Sequence, residues 1–400
     1  MVIKRKWRDS IAVSEKILTI TEIWPSEEST LTQKLKILFF FVMCLIFDLT
    51  LLDELKNLLL RQDYETLAMH LSTFGLYIGY TIKIIIFQFR KKAPMQSLLQ
   101  SIKLFDEYFM EMELYKTKCI KTSNGLALFY VCCVAASIGL YLNKPFFTKY
   151  NLPVTFSHEL NTYTFYGLLV LQSFCNYYLV MIGIAFDMII IGLINIATAQ
   201  LDILRESILN FKPKNPTNLQ EEEHEFFSKC ASRHEAVVKY GQILLGLIFC
   251  TKAISRFISE AEDVFTFIFL TQSLASVTSI CNGMFQLAHT GKMFSVEFYF
   301  NCAFTFDVLF ELGICCWFGT LLTIKSVEVG DACYHYDWLN SPSHTRKLLL
   351  MIILRSQRPM YITAGKIIRL SMGSYLSVLK TAYSYFALMQ SLYDKVKQPE

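Results

Sequence analysis

The sequence predicts an all-α membrane protein with seven transmembrane helices, a cytoplasmic N-terminus and an extracellular C-terminus. Three observations carry this: the composition, the lengths of the apolar stretches and the distribution of lysine and arginine. Over 400 residues, 53% are hydrophobic and only 18% charged, and the mean hydropathy is +0.37. Such values fit a lipid-embedded chain better than a set of soluble domains. The aromatics, 33 Phe and 21 Tyr, suit lipid-facing surfaces and apolar pockets, and a net charge of +4 is too small to imply nucleic acid as a partner.

A helix needs about 20 apolar residues to cross the hydrocarbon core, where the backbone must satisfy its own hydrogen bonds. Seven stretches qualify, near residues 35–52, 67–89, 124–142, 163–199, 264–290, 298–324 and 367–393. The fourth is nearly twice the necessary length, so it is expected to continue beyond the bilayer as a solvent-side helix. Residues 236–254 compete as an eighth candidate, but Lys239, Lys252 and Arg256 interrupt or flank them. The apolar segment 348–354 is too short to cross and reads as an amphipathic or buried helix on the cytoplasmic side.

Positive residues are retained inside the cell. Seven Lys and Arg lie in the N-terminal flank up to Lys36, seven in residues 90–121 and eight in residues 201–256. The alternate loops hold Lys56 and Arg61, Lys144 and Lys149, and Lys292. The N-terminus is therefore expected inside, without a cleaved signal peptide, and seven crossings place the C-terminus outside. That orientation is opposite to a G-protein-coupled receptor. The segment 205–235, with KPKNPTNLQEEEHEFF, reads as a long cytoplasmic loop, and no internal repeat supports a transporter. The twelve cysteines lack C-x-x-C spacing and are expected to be free thiols.

No nucleotide loop, HExxH or nucleophile elbow is present, so no catalytic residue, metal site or cofactor is expected. His224 and His234 are ten residues apart, which does not place two ligands on one helical face. Ionisable residues inside spans are costly and thus functional candidates: Asp187, Asp307, Glu311 and Lys380. Asp307 and Glu311 are four residues apart and share a helix face, either lining a wet cavity or sitting as buried carboxyls satisfied by neighbours. Aromatics on the outer halves of four spans could enclose an apolar pocket or simply pack: Phe74, Tyr77, Tyr141, Tyr166, Phe174, Tyr177, Tyr299, Phe300 and Phe304. The seventh span alone is rich in small and hydroxyl residues, from Ser371 and Gly373 to Ser391, which suits either close packing or a pore wall.

The C-terminal part resembles the insect odorant receptor family. WFGTLLTIKSVEVGDACYHYDW (317–338) places Gly319, Ser326, Ala332, Tyr334 and Trp338 on the family's pattern. RKLLLMIILRSQRPMYITAGK (346–366) and LSMGSYLSVLKTAYSYFALM (370–389) continue it, the latter with the closing Tyr383-Ser384 pair. TSICNGMFQL (278–287) and Asp187 agree more loosely, and GQILLGLIFCTKAIS (241–255) departs from the pattern as an insertion. The resemblance implies a ligand-gated, non-selective cation channel, a heterotetramer with the family's shared co-receptor, Orco. It implies a multi-pass protein in the plasma membrane of olfactory sensory neurons, opened by a small volatile odorant. The divisions it implies are a cytoplasmic segment 1–34, a ligand-binding region 35–330, a cytoplasmic anchor 331–366 containing Tyr334 and Trp338, a pore-lining helix 367–393 and an extracellular tail 394–400. The gate falls at Leu388, Ser391 and Leu392, where an apolar ring excludes hydrated ions. The odorant pocket falls in the outer half of the membrane. Its expected lining is Phe74, Tyr77, Ile78, Ile138, Tyr141, Val170, Ser173, Phe174, Tyr177, Tyr299, Phe300, Ala303, Phe304 and Asp307. A gustatory receptor is the nearest alternative and a G-protein-coupled receptor a more distant one.

Overall fold

The computed structural model describes residues 6–24, 31–61, 64–88, 92–108, 113–147, 162–209, 246–289, 295–339 and 343–397. Each of the seven expected spans falls on a helix. These are α2 (Leu31–Arg61), α3 (Tyr64–Ile86), α5 (Glu113–Phe147), α6 (Thr162–Leu209), α7 (Gly246–His289), α8 (Val296–His335) and α10 (Met372–Lys397). Among the described residues, five helices are long and apolar enough to cross a membrane: α2, α5, α6, α7 and α8. Among the described residues of α3, Phe74–Ile86 is a shorter apolar stretch, and α10, with its serines and tyrosines, is not among the five.

Solvent-side helices complete the chain. A 3-10 turn, Trp7–Ile11, leads into α1 (Ala12–Ile20), α4 spans Lys92–Tyr108 and α9 spans Ser343–Ser356. The last is the short apolar helix expected at 348–354. The α6 helix continues unbroken to Leu209, 48 residues in all. At 1.5 Å per residue it is about 72 Å long, more than twice the ~30 Å hydrocarbon thickness, so the extension predicted for the fourth span is present. Residues 246–254, the described part of the eighth candidate, open α7 and run straight into the fifth span, so they are no separate crossing. Residues 236–245 lie outside the described residues, as do His224 and His234.

The helix extensions form a polar assembly. Lys325 on α8 lies 3.0 Å from both Asp202 on α6 and Glu328, and Arg205 reaches Glu328 at 3.7 Å. Ser101 on α4 donates to Glu260 on α7 at 3.0 Å, and Arg355 on α9 donates to Ser255 on α7 at 2.7 Å. The α8–α9 approach is close enough that a Cβ on Gly330 would stand 2.1 Å from Ser356 Oγ.

Two features depart from the expectation. The seventh span begins at Met372 rather than 367, because residues 363–369 form a small antiparallel hairpin, β1 (Thr363–Ala364) with β2 (Ile368–Arg369). Gly365 and Lys366 both have φ near +60°, which a tight hairpin turn requires and a helix forbids. Thr266 of α7 holds the turn, its carbonyl accepting from Gly365 N–H at 2.8 Å and its Oγ1 from Lys366 N–H at 3.0 Å. The N-terminal segment, expected only as cytoplasmic, docks on α5 and α6. Trp7 is fully buried, its backbone N–H donating to Asp106 Oδ1 at 3.0 Å, while Lys116 pairs with Asp106 at 2.7 Å and lies 5.6 Å from the Trp7 ring.

Candidate functional site

Where α3, α6 and α8 meet, three ionisable side chains are closed off together. The Lys83 ammonium lies 3.4 Å from Asp187 Oδ1 and 3.9 Å from Glu311 Oε1, with side-chain exposures of 0, 2 and 3%. The Tyr80 ring is 5.1 Å from the ammonium. Gly183 of α6 makes room: a Cβ there would stand 2.4 Å from the Tyr80 ring. Among the described residues, Asp187 Oδ2 and Glu311 Oε1 are buried without a hydrogen bond. An isolated ion is not tolerated in such surroundings, so these groups hold one another in place. The sequence pointed to Asp187 and Glu311 but passed over Lys83, which sits at the inner end of its span and reads from sequence as an interfacial lysine.

One turn outward on α8, Asp307 takes the Ser137 hydroxyl of α5 on Oδ2. Asp307 is half-buried and Ser137 buried. Further out on the same face, Phe300 and Phe304 stack with centroids 6.1 Å apart, both packed on the core, and Ala303 is half-buried between them. Ile138, beside Ser137, is buried. On α3, Tyr77 is buried against Phe47 of α2 at 5.1 Å, while Phe74 and Ile78 are half-buried.

The α6 positions differ. Phe174 joins a stack with Phe40 of α2 and Tyr178, at 5.7 and 6.2 Å, and Ser173 donates back to the Leu169 carbonyl at 2.6 Å. Val170 and Tyr177 are 68% and 58% exposed, and Tyr299 on α8 is 49% exposed. These three point out of the single chain and not among the helices. Residues 170, 174 and 177 share one face of α6, whereas Gln172, Cys175 and Leu179 lie on its buried face. The side chain of Tyr141 lies outside the described residues. A separate surface groove of about 540 Å³ runs along α2 by Leu49, Lys56 and Leu60, away from these residues.

On α10, Ala382 is buried, and the Tyr375 hydroxyl donates to the Leu309 carbonyl of α8 at 3.4 Å. The gate candidates Leu388, Ser391 and Leu392 lie on exposed faces of the chain, both leucines at 55%. Cys281 of α7 meets Met389 at 3.5 Å on the packed side. Tyr334 and Trp338 are exposed at the end of α8.

A family profile described as 7tm Odorant receptor matches residues 63–383. Among curated proteins, Odorant receptor 67c of Drosophila melanogaster is 25% identical over 153 residues, 38% of this chain and 37% of that one. Odorant receptor Or2 of Anopheles gambiae is 25% identical over 143 residues, and Odorant receptor 67a of Drosophila melanogaster 30% identical over 141. These alignments span 37% and 34% of the two relatives, so a little over a third of each curated relative is matched. The structure of the insect olfactory receptor OR5 from Machilis hrabei in complex with eugenol superposes with a TM-score of 0.74 at 14% identity. That likeness covers 96% of this chain and 98% of the other, and it establishes the fold.

Proposed function

Because the chain belongs to the 7tm odorant receptor family, we propose that it is an odorant-specific subunit of a ligand-gated cation channel in the plasma membrane of olfactory sensory neurons. The observation that carries the reading is the family match across residues 63–383 together with a fold likeness over nearly the whole of both chains. A relative of this fold holding eugenol supports a small aromatic volatile as the class of ligand.

In this reading the N-terminus is cytoplasmic, the C-terminus extracellular, and the odorant lies in the outer half of the membrane among α3, α5, α6 and α8. Binding is mainly hydrophobic, with Tyr77, Ile138, Phe300, Ala303 and Phe304 the residues whose placement suits it best. Four chains, this one and the co-receptor Orco among them, surround a pore lined by α10, with Tyr334 and Trp338 in the cytoplasmic anchor. Leu388 and Leu392 face away from the single chain, as a pore ring requires, and Ser391 lies beside them. Ligand binding opens the pore only by the ratio of its affinities for the open and closed states. Tyr375 on Leu309 gives α8 a direct contact with α10 through which such a preference acts.

The test is patch-clamp recording in cells without G-protein signalling, with and without the co-receptor. Odorant-evoked current that needs the co-receptor but no G-protein is the expected result. A current dependent on G-proteins, or a C-terminal epitope accessible only after permeabilisation, refutes the reading.

A further inference from the structure

This inference rests on the odorant-receptor reading and names the ligand chemistry of that same site. We propose that Asp307 selects small volatile amines, binding the ligand's ammonium group between α5 and α8 at the floor of the outer pocket.

Charge accounting supplies the first reason. Asp187, Glu311 and Asp307 bring three carboxyl groups to this level of the helix bundle, and Lys83 brings one ammonium within 4 Å of two of them. The group is electrically complete only when something else positive joins it, either protons or a cationic ligand. Two buried oxygens, Asp187 Oδ2 and Glu311 Oε1, take no hydrogen bond among the described residues, which marks the group as short of donors.

Access supplies the second. Asp187 and Glu311 are closed off, whereas Asp307 is half-buried one turn nearer the outside. Ser137 occupies its Oδ2 alone, and among the described residues no hydrogen bond reaches the other oxygen. The third reason is what stands above it. Phe304 and Phe300 lie on the same face of α8, about one and two turns outward respectively, and stack on each other. Aromatic faces beside a carboxylate attract an ammonium through the ring quadrupole while accepting the rest of an apolar ligand. An alcohol or a hydrocarbon of the same shape uses the rings but brings no charge.

The experiment compares three ligands of one shape, 2-phenylethylamine, 2-phenylethanol and propylbenzene, by their thermal stabilisation of the full chain in lipid nanodiscs. The expected result is an apparent Kd for the amine about 10- to 100-fold below the other two. Asp307→Asn should abolish that preference while leaving the propylbenzene affinity unchanged. Equal binding of the three, no binding of any, or a preference that survives D307N overturns the proposal. If D307N gives no cooperative melt, Asp307→Glu serves instead, and a shift confined to the amine is then required. Amine binding without any evoked current sinks channel gating and leaves this inference standing. Currents evoked by the two neutral ligands and not by the amine do the reverse.

Discussion

Replacing Lys83 by methionine removes its ammonium from the three-helix junction while nearly keeping its volume. The ammonium is wholly buried, with Asp187 at 3.4 Å and Glu311 at 3.9 Å. Solvent screening is absent there, so the loss is that of breaking a buried pair, about 3–5 kcal/mol. The residual acid pair sits between α6 and α8, and the strain falls on the contact that positions both. The assay is chemical unfolding of the purified full chain in nanodiscs, with surface expression as a second readout. K83M should lose about 3–5 kcal/mol, and adding Asp187→Asn should recover part of it by removing an uncompensated acid. If K83M unfolds like the natural protein, or the double variant is no better than the single one, the junction is not held by this ion group.

Four further outcomes are expected. Trp7→Ala empties a fully buried site under α5 and should cost about 3–5 kcal/mol in the same unfolding assay, a loss that an undocked N-terminus would not show. Gly319→Ala would put a Cβ 2.4 Å from the Leu370 carbonyl oxygen, backbone that cannot swing aside, and should cost about 1–3 kcal/mol and lower surface expression. Leu388→Ala should raise basal current in cells expressing the co-receptor; unchanged resting conductance counts against its place in the gate. For Lys325, just beyond the inner end of the sixth span, burial opposes the charge, but the Glu328 and Asp202 carboxylates outweigh it and raise its pKa above the ordinary 10.5. A raised folded-state value means its contribution is complete below the unfolded pKa and disappears as pH climbs through the folded one. Lys325→Met should therefore be less stable than the natural protein at pH 7, with the gap closing above about pH 10.5; a gap that stays constant with pH refutes the ion-pair account.

The candidate site was only partly legible. Asp307, Phe300 and Phe304 could be found from sequence because they recur at helical spacing on one strongly apolar span. Val170 and Tyr177 rest on depth along α6 and Tyr299 on its spacing from the gate, and all three turn outward in the single chain. In a soluble helix a polar face would have revealed which side is buried. In a membrane the lipid-facing and core-facing sides are both apolar, so α8 and α6 carry almost no periodic signal for direction. Lys83 was missed for a related reason: a lysine near a span's end reads as a side chain reaching for water, and nothing local says that two acids from helices 104 and 228 residues further along the chain await it.

By itself, the sequence determined that each of the seven apolar stretches lies on a helix, along with the fourth span's extension, the short helix before the last span and the family. Those features rest on local hydrophobicity, since a backbone in lipid must form helices wherever the apolar run is long enough. Tertiary structure decided the rest. The start of α10 was set by a hairpin whose turn is held by Thr266, about a hundred residues earlier in the chain. The N-terminal segment was fixed by Trp7 docking beside Asp106 and Lys116. The polar centre came from Lys83, Asp187 and Glu311 meeting across three helices. Each depends on which faces the helices turn to one another, and that is a property of their packing rather than of any single stretch of chain.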